Sequence, residues 1–163
     1  MILFSCTGNN GDENNQSRKL NEEELIKANK YLIKRDAEVI KNYIDRRNWD
    51  MKETETGLWY MVYEEHDGTI IEKGDQVVFN YEVSLLDGTK LYDSERLGAK
   101  KVSLGHEQLE TGLEQGLIML HEGEKARFII PPHLGHGLIG DQNKIPGRSV
   151  ILYQVEILEV HKK

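Results

Sequence analysis

Apolar residues recur at helical spacing in the first third of the chain. Between residues 21 and 47 they come three, four or seven positions apart, with charged side chains between them. This spacing predicts an amphipathic helix, and Asn21 with Glu24 forms a capping-box sequence at its start. The stripe comprises Leu25, Leu32, Ile33, Val39, Ile40, Tyr43 and Ile44. Such a stripe fits packing on the helix's own domain or dimerisation through the 21–47 helix, and the pattern leaves both open.

After this helix the apolar spacing changes to the alternation that is typical of β-strands. Apolar side chains alternate through residues 58–63 and again through residues 77–83. His66-Asp67-Gly68 predicts a hairpin turn after the first of these segments, and Asp87-Gly88 predicts one after the second. The sequence therefore predicts antiparallel strands in this part of the chain.

A second helical segment interrupts the strands. A charged loop is expected over residues 95–101, and a short strand follows near Val102. Leucines at helical spacing then predict a helix over residues 109–120, although Gly112 and Gly116 make it a poor isolated helix. Burial against a sheet must therefore hold it. The order of a helix, several strands, one short buried helix and two final strands predicts an α+β fold.

The segment most typical of a functional site covers residues 122–146. It begins as a strand, and Pro131-Pro132 ends that strand because proline cannot donate to a ladder. A loop with three glycines and two histidines follows, and the chain returns to strand from Val150. A glycine-rich, partly apolar loop delivered to one end of a sheet commonly lines a pocket. We expect this loop and its two strands to carry the function.

Composition and charge narrow the class of protein. The chain has 163 residues, of which 38% are hydrophobic and 30% charged, and its net charge is -7. These values fit one domain of common size with an extension. The negative charge argues against a nucleic-acid partner, because binding to a phosphate backbone requires basic clusters. The sequence has no run of 18 apolar residues, so no membrane-spanning helix is predicted.

Cys6 is the single cysteine of the sequence, so no disulfide within it is predicted. Leu3-Phe4-Ser5-Cys6 resembles the end of a bacterial lipoprotein signal, in which a small residue precedes the acylated cysteine. Five residues are too few for a complete signal, but the polar residues 7–17 suit a flexible tether. We predict lipidation at Cys6 and anchoring to a bacterial envelope membrane, facing the periplasm or the surface. The alternative is an ordinary N-terminus with a free thiol.

Residues 74–160 resemble the FKBP-type peptidyl-prolyl cis-trans isomerases. The matching motifs are GDQVVFNYEVSLLDGTKLYDS, VSLGHEQLETGLEQGLIMLHEGEKARFIIPP and GLIGDQNKIPGRSVILYQVEIL, in the family's order. The resemblance implies an antiparallel sheet wrapped on one short helix, preceded here by an N-terminal helical extension. The N-terminus and this extension also resemble the envelope lipoprotein members of the family, including those associated with gliding motility.

The resemblance implies three segments and one activity. Residues 1–17 would be a signal remnant and tether, residues 18–56 the helical extension, and residues 57–163 the isomerase domain. The implied function is isomerisation of X-Pro bonds that assists folding of exported or envelope proteins. This rotation requires no nucleophile, metal or cofactor, and the partners are proline-containing polypeptides. The alternative is a weakly catalytic or non-catalytic binding module, serving as a chaperone or assembly component.

The resemblance also implies which residues form the pocket. The implied catalytic residues are Tyr81, Tyr92, Asp93 and His136. The implied substrate-binding residues are Leu109, Glu110, Leu113, Ile145 and Tyr153. The tyrosines and Ile145 correspond to the walls, and Asp93 corresponds to a polar group at the lip. Glu110 corresponds to a residue whose backbone N–H binds a substrate carbonyl.

Three positions depart from the family pattern. Leu113 replaces a tryptophan that forms the pocket floor, His136 replaces a tyrosine that donates to the substrate carbonyl, and Lys100 replaces an aromatic residue at the lip. An imidazole N–H can still donate a hydrogen bond. His133 and His136 have the H-x-x-H spacing of metal ligands, but no cysteine or carboxylate cluster completes a ligand set. No metal site is predicted.

Overall fold

The computed structural model describes residues 21–106 and 109–163. The helices are α1 (Glu22–Arg47), α2 (Ser94–Leu97) and α3 (Thr111–Leu117). The strands are β1 (Lys52–Glu53), β2 (Trp59–Glu64), β3 (Gln76–Leu85), β4 (Lys90–Asp93), β5 (Lys100–Ser103), β6 (Lys125–Ile130) and β7 (Ile151–His161). The strands form one antiparallel sheet in the order β1-β2-β6-β7-β3-β4, with β5 also paired to β3. A short 3-10 turn, Pro132–Leu134, follows β6.

One face of the sheet packs on α3. Phe79 of β3 and Phe128 of β6 are fully buried there, together with Leu113 and Leu117 of α3. Gly116 explains how the helix approaches so closely, because a Cβ at this position would lie 2.7 Å from the ring of Phe128. The predicted short helix is thus present and held by burial, although it is shorter than the 109–120 segment predicted.

The other face of the sheet packs on the C-terminal part of α1. Ile40, Tyr43 and Ile44 are buried in a second cluster with Ile129 and Leu152 of the sheet. This cluster confirms that the two faces of β6 carry separate sets of side chains. Ile129, on the face of β6 opposite Phe128, therefore packs against α1 and attaches the helical extension to the sheet.

The start and the stripe of α1 agree with the prediction only in part. The Asn21 side chain accepts from the Glu24 backbone N–H at 2.8 Å, and the Glu24 carboxylate accepts from the Asn21 N–H at 3.1 Å. The capping box is therefore confirmed. Leu25, Ile33 and Val39, however, are 45–47% exposed. Full burial against the helix's own domain is thus confined to its C-terminal end, although Leu32 is half-buried and lines a cavity with residues that follow β6.

Two local predictions about loops are wrong. His66-Asp67-Gly68 does not form a hairpin, because β2 pairs with β1 and β6 whereas β3 pairs with β4, β5 and β7. The chain instead crosses to residues 121–122, where Ile70 bridges His121. The charged segment at residues 95–101 also contains most of α2 and the start of β5. The Asp87-Gly88 hairpin between β3 and β4 is confirmed.

Helix α1 is long but carries many charged side chains, and α2 and α3 are short. Within residues 21–106 and 109–163, none of them has the length and apolarity that crossing a membrane requires.

Candidate functional site

A cavity of about 200 Å³ opens beside β3, β4 and β7. It is lined by Tyr81, Val83, Tyr92, Lys100, Glu110, His136, Asp141, Ile145 and Tyr153. Strand register explains why the aromatic walls meet. Val83 of β3 lies opposite Tyr92 of β4 on one side and opposite Tyr153 of β7 on the other. Because opposite residues share a sheet face, the two phenol rings flank one apolar position.

Tyr81 and Ile145 add further apolar surface. Tyr81 lies two residues before Val83 on β3, and its ring contacts Phe79 edge to face at 6.1 Å between centroids. Burial, followed by the negative charge of Asp93, raises the pKa of the Tyr81 phenol above its ordinary value. Ile145 is buried and comes from the loop between β6 and β7. The structure thus brings together all four predicted wall residues.

His136 and Glu110 meet inside the cavity. The Nε2 atom of His136 lies 2.9 Å from Oε1 of Glu110, and the Tyr153 hydroxyl donates to the same oxygen at 2.7 Å. Burial, with the charge and hydrogen bond of Glu110, raises the pKa of the Tyr153 phenol. The Glu110 side chain is 12% exposed. The family resemblance implied a role for the backbone N–H of this residue, whereas its carboxylate in the cavity was not predicted.

Asp141 is a cavity residue that the sequence analysis missed entirely. Its Oδ1 accepts the backbone N–H groups of Asn143 at 2.9 Å and Ile145 at 2.8 Å, and its Oδ2 accepts from the Tyr92 hydroxyl. Burial raises the pKa of this carboxyl, but the three hydrogen bonds together hold it below its ordinary value. The Asp-x-Asn spacing before Ile145 is a side-chain turn signal. Asp141 therefore holds the turn at residues 141–145 through its side chain.

Three of the predicted site residues lie outside the lining of this cavity. Asp93 is buried at the end of β4, and its Oδ1 accepts the Arg96 N–H at 2.9 Å as the N-cap of α2. Leu113 is fully buried on α3, and Leu109 packs partly buried against the same core. Cys6 lies outside the described residues. Its predicted lipidation stays a prediction.

The two histidines with metal-ligand spacing have different partners. Nε2 of His133 lies 2.9 Å from the backbone oxygen of Thr56, whereas His136 contacts Glu110. Among residues 21–106 and 109–163, no group of three or more histidine, cysteine, aspartate or glutamate side chains is arranged to hold a metal ion.

Comparison with known proteins identifies a family for the domain. A family model described as FKBP-type peptidyl-prolyl cis-trans isomerase matches residues 68–158. Human peptidyl-prolyl cis-trans isomerase FKBP9 is 41% identical over 90 residues, which are 55% of this chain and 16% of that protein. A probable FKBP-type isomerase of Haemophilus influenzae is 33% identical over 114 residues, which are 70% of this chain and 47% of the relative. The chain thus spans less than half the length of these relatives.

A solved structure confirms the predicted α+β fold. The crystal structure of FkpA from Escherichia coli matches with a TM-score of 0.67 and 28% sequence identity, over 88% of this chain and 74% of that one. The match therefore extends beyond the residues that the family model covers.

Proposed function

The chain belongs to the FKBP-type peptidyl-prolyl cis-trans isomerase family, and from that premise we propose that it catalyses rotation about X-Pro bonds in polypeptide clients. The observation that carries this proposal is the cavity of three tyrosines and Ile145 with His136 inside it. Apolar and aromatic walls suit a proline ring, and His136 supplies a polar group within reach of a bound peptide.

The reaction explains why such a cavity is sufficient. The barrier to rotation, about 18–20 kcal/mol, comes from the resonance of the amide bond. Twisting the C–N bond removes that resonance and makes the amide less polar. A dry cavity that excludes water from the planar amide, while a donor holds its carbonyl, favours the twisted form over the ground state. The chain therefore needs only walls and a correctly placed donor.

His136 is the donor that we assign to this role, through Nδ1, because its Nε2 already contacts Glu110. Replacing His136 with alanine removes one hydrogen bond to the substrate carbonyl, so kcat/KM is expected to fall about 10-fold to 100-fold. Isomerisation of short X-Pro peptides, followed in a protease-coupled assay, measures the effect. His161→Ala is the matched control, because this histidine is at the end of β7 and bonds to Glu159. Equal activity of the His136 variant and the wild type would remove the donor role.

A second candidate function is a binding module on the same fold. It is favoured by the Glu110 carboxylate, which already occupies Nε2 of His136 and the hydroxyl of Tyr153. A cavity whose donors are engaged by Glu110 would bind proline-containing segments but accelerate rotation about the X-Pro bond only slightly. Tyr92→Ala or Asp93→Ala separates the two candidates: cellular function that persists after turnover is lost supports the binding module, and joint loss supports the enzyme.

We propose that the protein lies in a bacterial cell envelope, where it would assist the folding of exported or envelope proteins. The support is sequence alone: Leu3-Phe4-Ser5 before Cys6 and the polar residues 7–17 after it. The intact mass of the native protein, measured by mass spectrometry, is expected to include the mass of acyl groups attached to Cys6. An unmodified N-terminus beginning at Met1 would refute the anchor.

We also propose that the exposed half of α1 is a contact between two copies of the chain. Leu25, Ile33 and Val39 are exposed on this helix, and association would remove their apolar surface from water. Ile33→Asp is expected to convert a dimer to a monomer in sedimentation velocity measurements, with Lys34→Asp as the control beside it. A wild-type protein that sediments as a monomer at every concentration tested would refute this contact.

A further inference from the structure

Glu110 brings a carboxylate into a cavity whose walls are otherwise mainly aromatic and aliphatic. The residue precedes α3, and its side chain makes no capping hydrogen bond to that helix. It turns instead toward His136 and Tyr153, which contact its Oε1 at 2.9 and 2.7 Å. Because the side chain is only 12% exposed, its charge acts where water screens it weakly. The negative charge is therefore held at a fixed place in the wall.

The carboxylate retains capacity for another donor. A carboxylate offers about four acceptor positions on its two oxygens, and the bonds from His136 and Tyr153 both fall on Oε1. A lysine or arginine side chain beside the bound proline can donate to the remaining positions. An apolar side chain at the same place would shield Glu110 from water without supplying a donor, which is unfavourable. The cavity wall thus distinguishes clients by charge.

The other charged groups around the cavity do not duplicate this effect. Asp141 already accepts hydrogen bonds on both oxygens from Tyr92 and the loop backbone. The Lys144 ammonium donates to the Leu91 carbonyl at 2.9 Å and lies 5.0 Å from the centre of the Tyr92 ring. Lys100 also lines the cavity, and its charge opposes that of Glu110. Two hydrogen bonds hold the Glu110 carboxylate in place.

We infer that Glu110 is the specificity-determining residue of this cavity and selects clients with lysine or arginine immediately before proline. The inference rests on the proposed function, since it names the substrates of the same site. It concerns the residue of this chain that stands at the family's substrate-binding position, and it assigns the role to its side chain and not to its backbone.

Isomerisation of peptides that differ only in the residue before proline tests the inference. Lysine, arginine, leucine, glutamine and glutamate peptides are compared by NMR exchange spectroscopy, which needs no coupling protease. Wild-type kcat/KM is expected to be about fivefold higher for lysine than for leucine, a difference typical of one partly exposed ion pair. The preference should shrink at about 1 M salt, where the Debye length is about 3 Å. Glu110→Gln keeps the shape and should bring the ratio close to one.

Two further variants separate Glu110 from its surroundings. Lys100→Gln removes the opposing charge, so the lysine-to-leucine ratio should rise. Glu114→Gln makes the same substitution on α3 outside the cavity lining, and the ratio should stay at the wild-type value. Backbone NMR shifts of Glu110→Gln that match the wild type away from the cavity demonstrate that this variant is folded, whatever its turnover.

Each outcome separates the inference from the proposed function. Active wild-type protein with equal kcat/KM for lysine and leucine, or a ratio unchanged in Glu110→Gln, would overturn the inference and leave the isomerase intact. Acceleration of no peptide would overturn the proposed enzyme. Chemical-shift titrations of the same peptides then decide: tighter lysine binding that Glu110→Gln removes supports charge selection in a binding module, whereas equal binding or none overturns it.

Discussion

Gly140→Ala is expected to lower isomerase activity by about 100-fold or more while the sheet stays folded. Gly140 lies in the loop that carries His136 and Ile145, and its φ of +78° is one that residues with a side chain rarely adopt. A Cβ there would lie 2.0 Å from the Ile145 carbonyl oxygen. The clash is with a backbone atom, which cannot rotate away as the end of a side chain can. The loop must therefore move by over an ångström before the new Cβ and the Ile145 oxygen reach the 3.4 Å of ordinary contact. A misplacement of about 1 Å can cost about 100-fold in rate.

Gly88→Ala is the matched control for this substitution. Gly88 has a φ of +93° in the β3–β4 hairpin, and no atom lies within 4 Å of its added Cβ. It therefore carries the conformational cost of positive φ without the clash, and activity should be retained. Backbone NMR shifts provide a readout that is independent of turnover: Gly140→Ala should shift residues 136–147. A Gly140 variant with wild-type shifts and activity would contradict the proposed crowding.

Phe128→Ala is expected to lower the free energy of unfolding by about 3–5 kcal/mol. Phe128 is fully buried at the centre of β6, between Tyr60 of β2 and Tyr153 of β7 in register. Its ring fills the space above Gly116, where α3 has no side chain to fill the cavity left by truncation. Urea denaturation followed by circular dichroism measures the change.

Leu97→Ala is the control for Phe128→Ala, since it truncates an exposed apolar side chain instead of a buried one. Leu97 is 65% exposed at the end of α2, so its truncation should change the free energy of unfolding by no more than about 0.5 kcal/mol. A loss below about 1 kcal/mol in Phe128→Ala would mean that the β6–α3 interface is less closely packed than the structure indicates. Since Tyr153 is the register partner of Phe128, the same variant should also weaken the cavity wall.

Both substitutions act on one structural arrangement. Strand β6 contributes Phe128 to the core, and the loop that follows it contributes His136, Asp141 and Ile145 to the cavity. The Tyr92 hydroxyl bonds to Asp141, which in turn accepts the Ile145 N–H. The wall and the loop are therefore linked through one carboxylate. A change in either is expected to displace the other.

Local sequence patterns were sufficient to predict the structure wherever contacts between residues close in sequence determine it. Asn21 and Glu24 cap α1 through contacts only three residues apart. The hairpin at Asp87-Gly88 depends on a positive φ and on the Asp87 side chain, both readable from the residues themselves. Phe128 and Ile129 are neighbours on β6 and lie in separate clusters, as the alternation of side chains along a strand requires. These features follow from backbone sterics and short-range hydrogen bonds.

Prediction failed where the partner of a segment is distant in sequence. His66-Asp67-Gly68 has turn composition, but the strand after it pairs with β7, from Gln76 opposite His161 to Leu85 opposite Ile151. Glu110 was assigned only a backbone role, because the donors that hold its carboxylate come from positions 136 and 153. Asp141 escaped notice for the same reason, since Tyr92 lies 49 residues before it.

The amino-acid order alone was enough to specify the start of α1, the Asp87-Gly88 hairpin and the family of the domain. The charge inside the cavity depended on long-range packing, because a carboxylate turns inward only where buried donors meet it. The same holds for α1, whose apolar stripe is continuous in sequence but is fully buried only at its C-terminal end, where it packs with Ile129 and Leu152. The sequence lists the side chains that the fold can use, and the register of the sheet determines which of them come into contact.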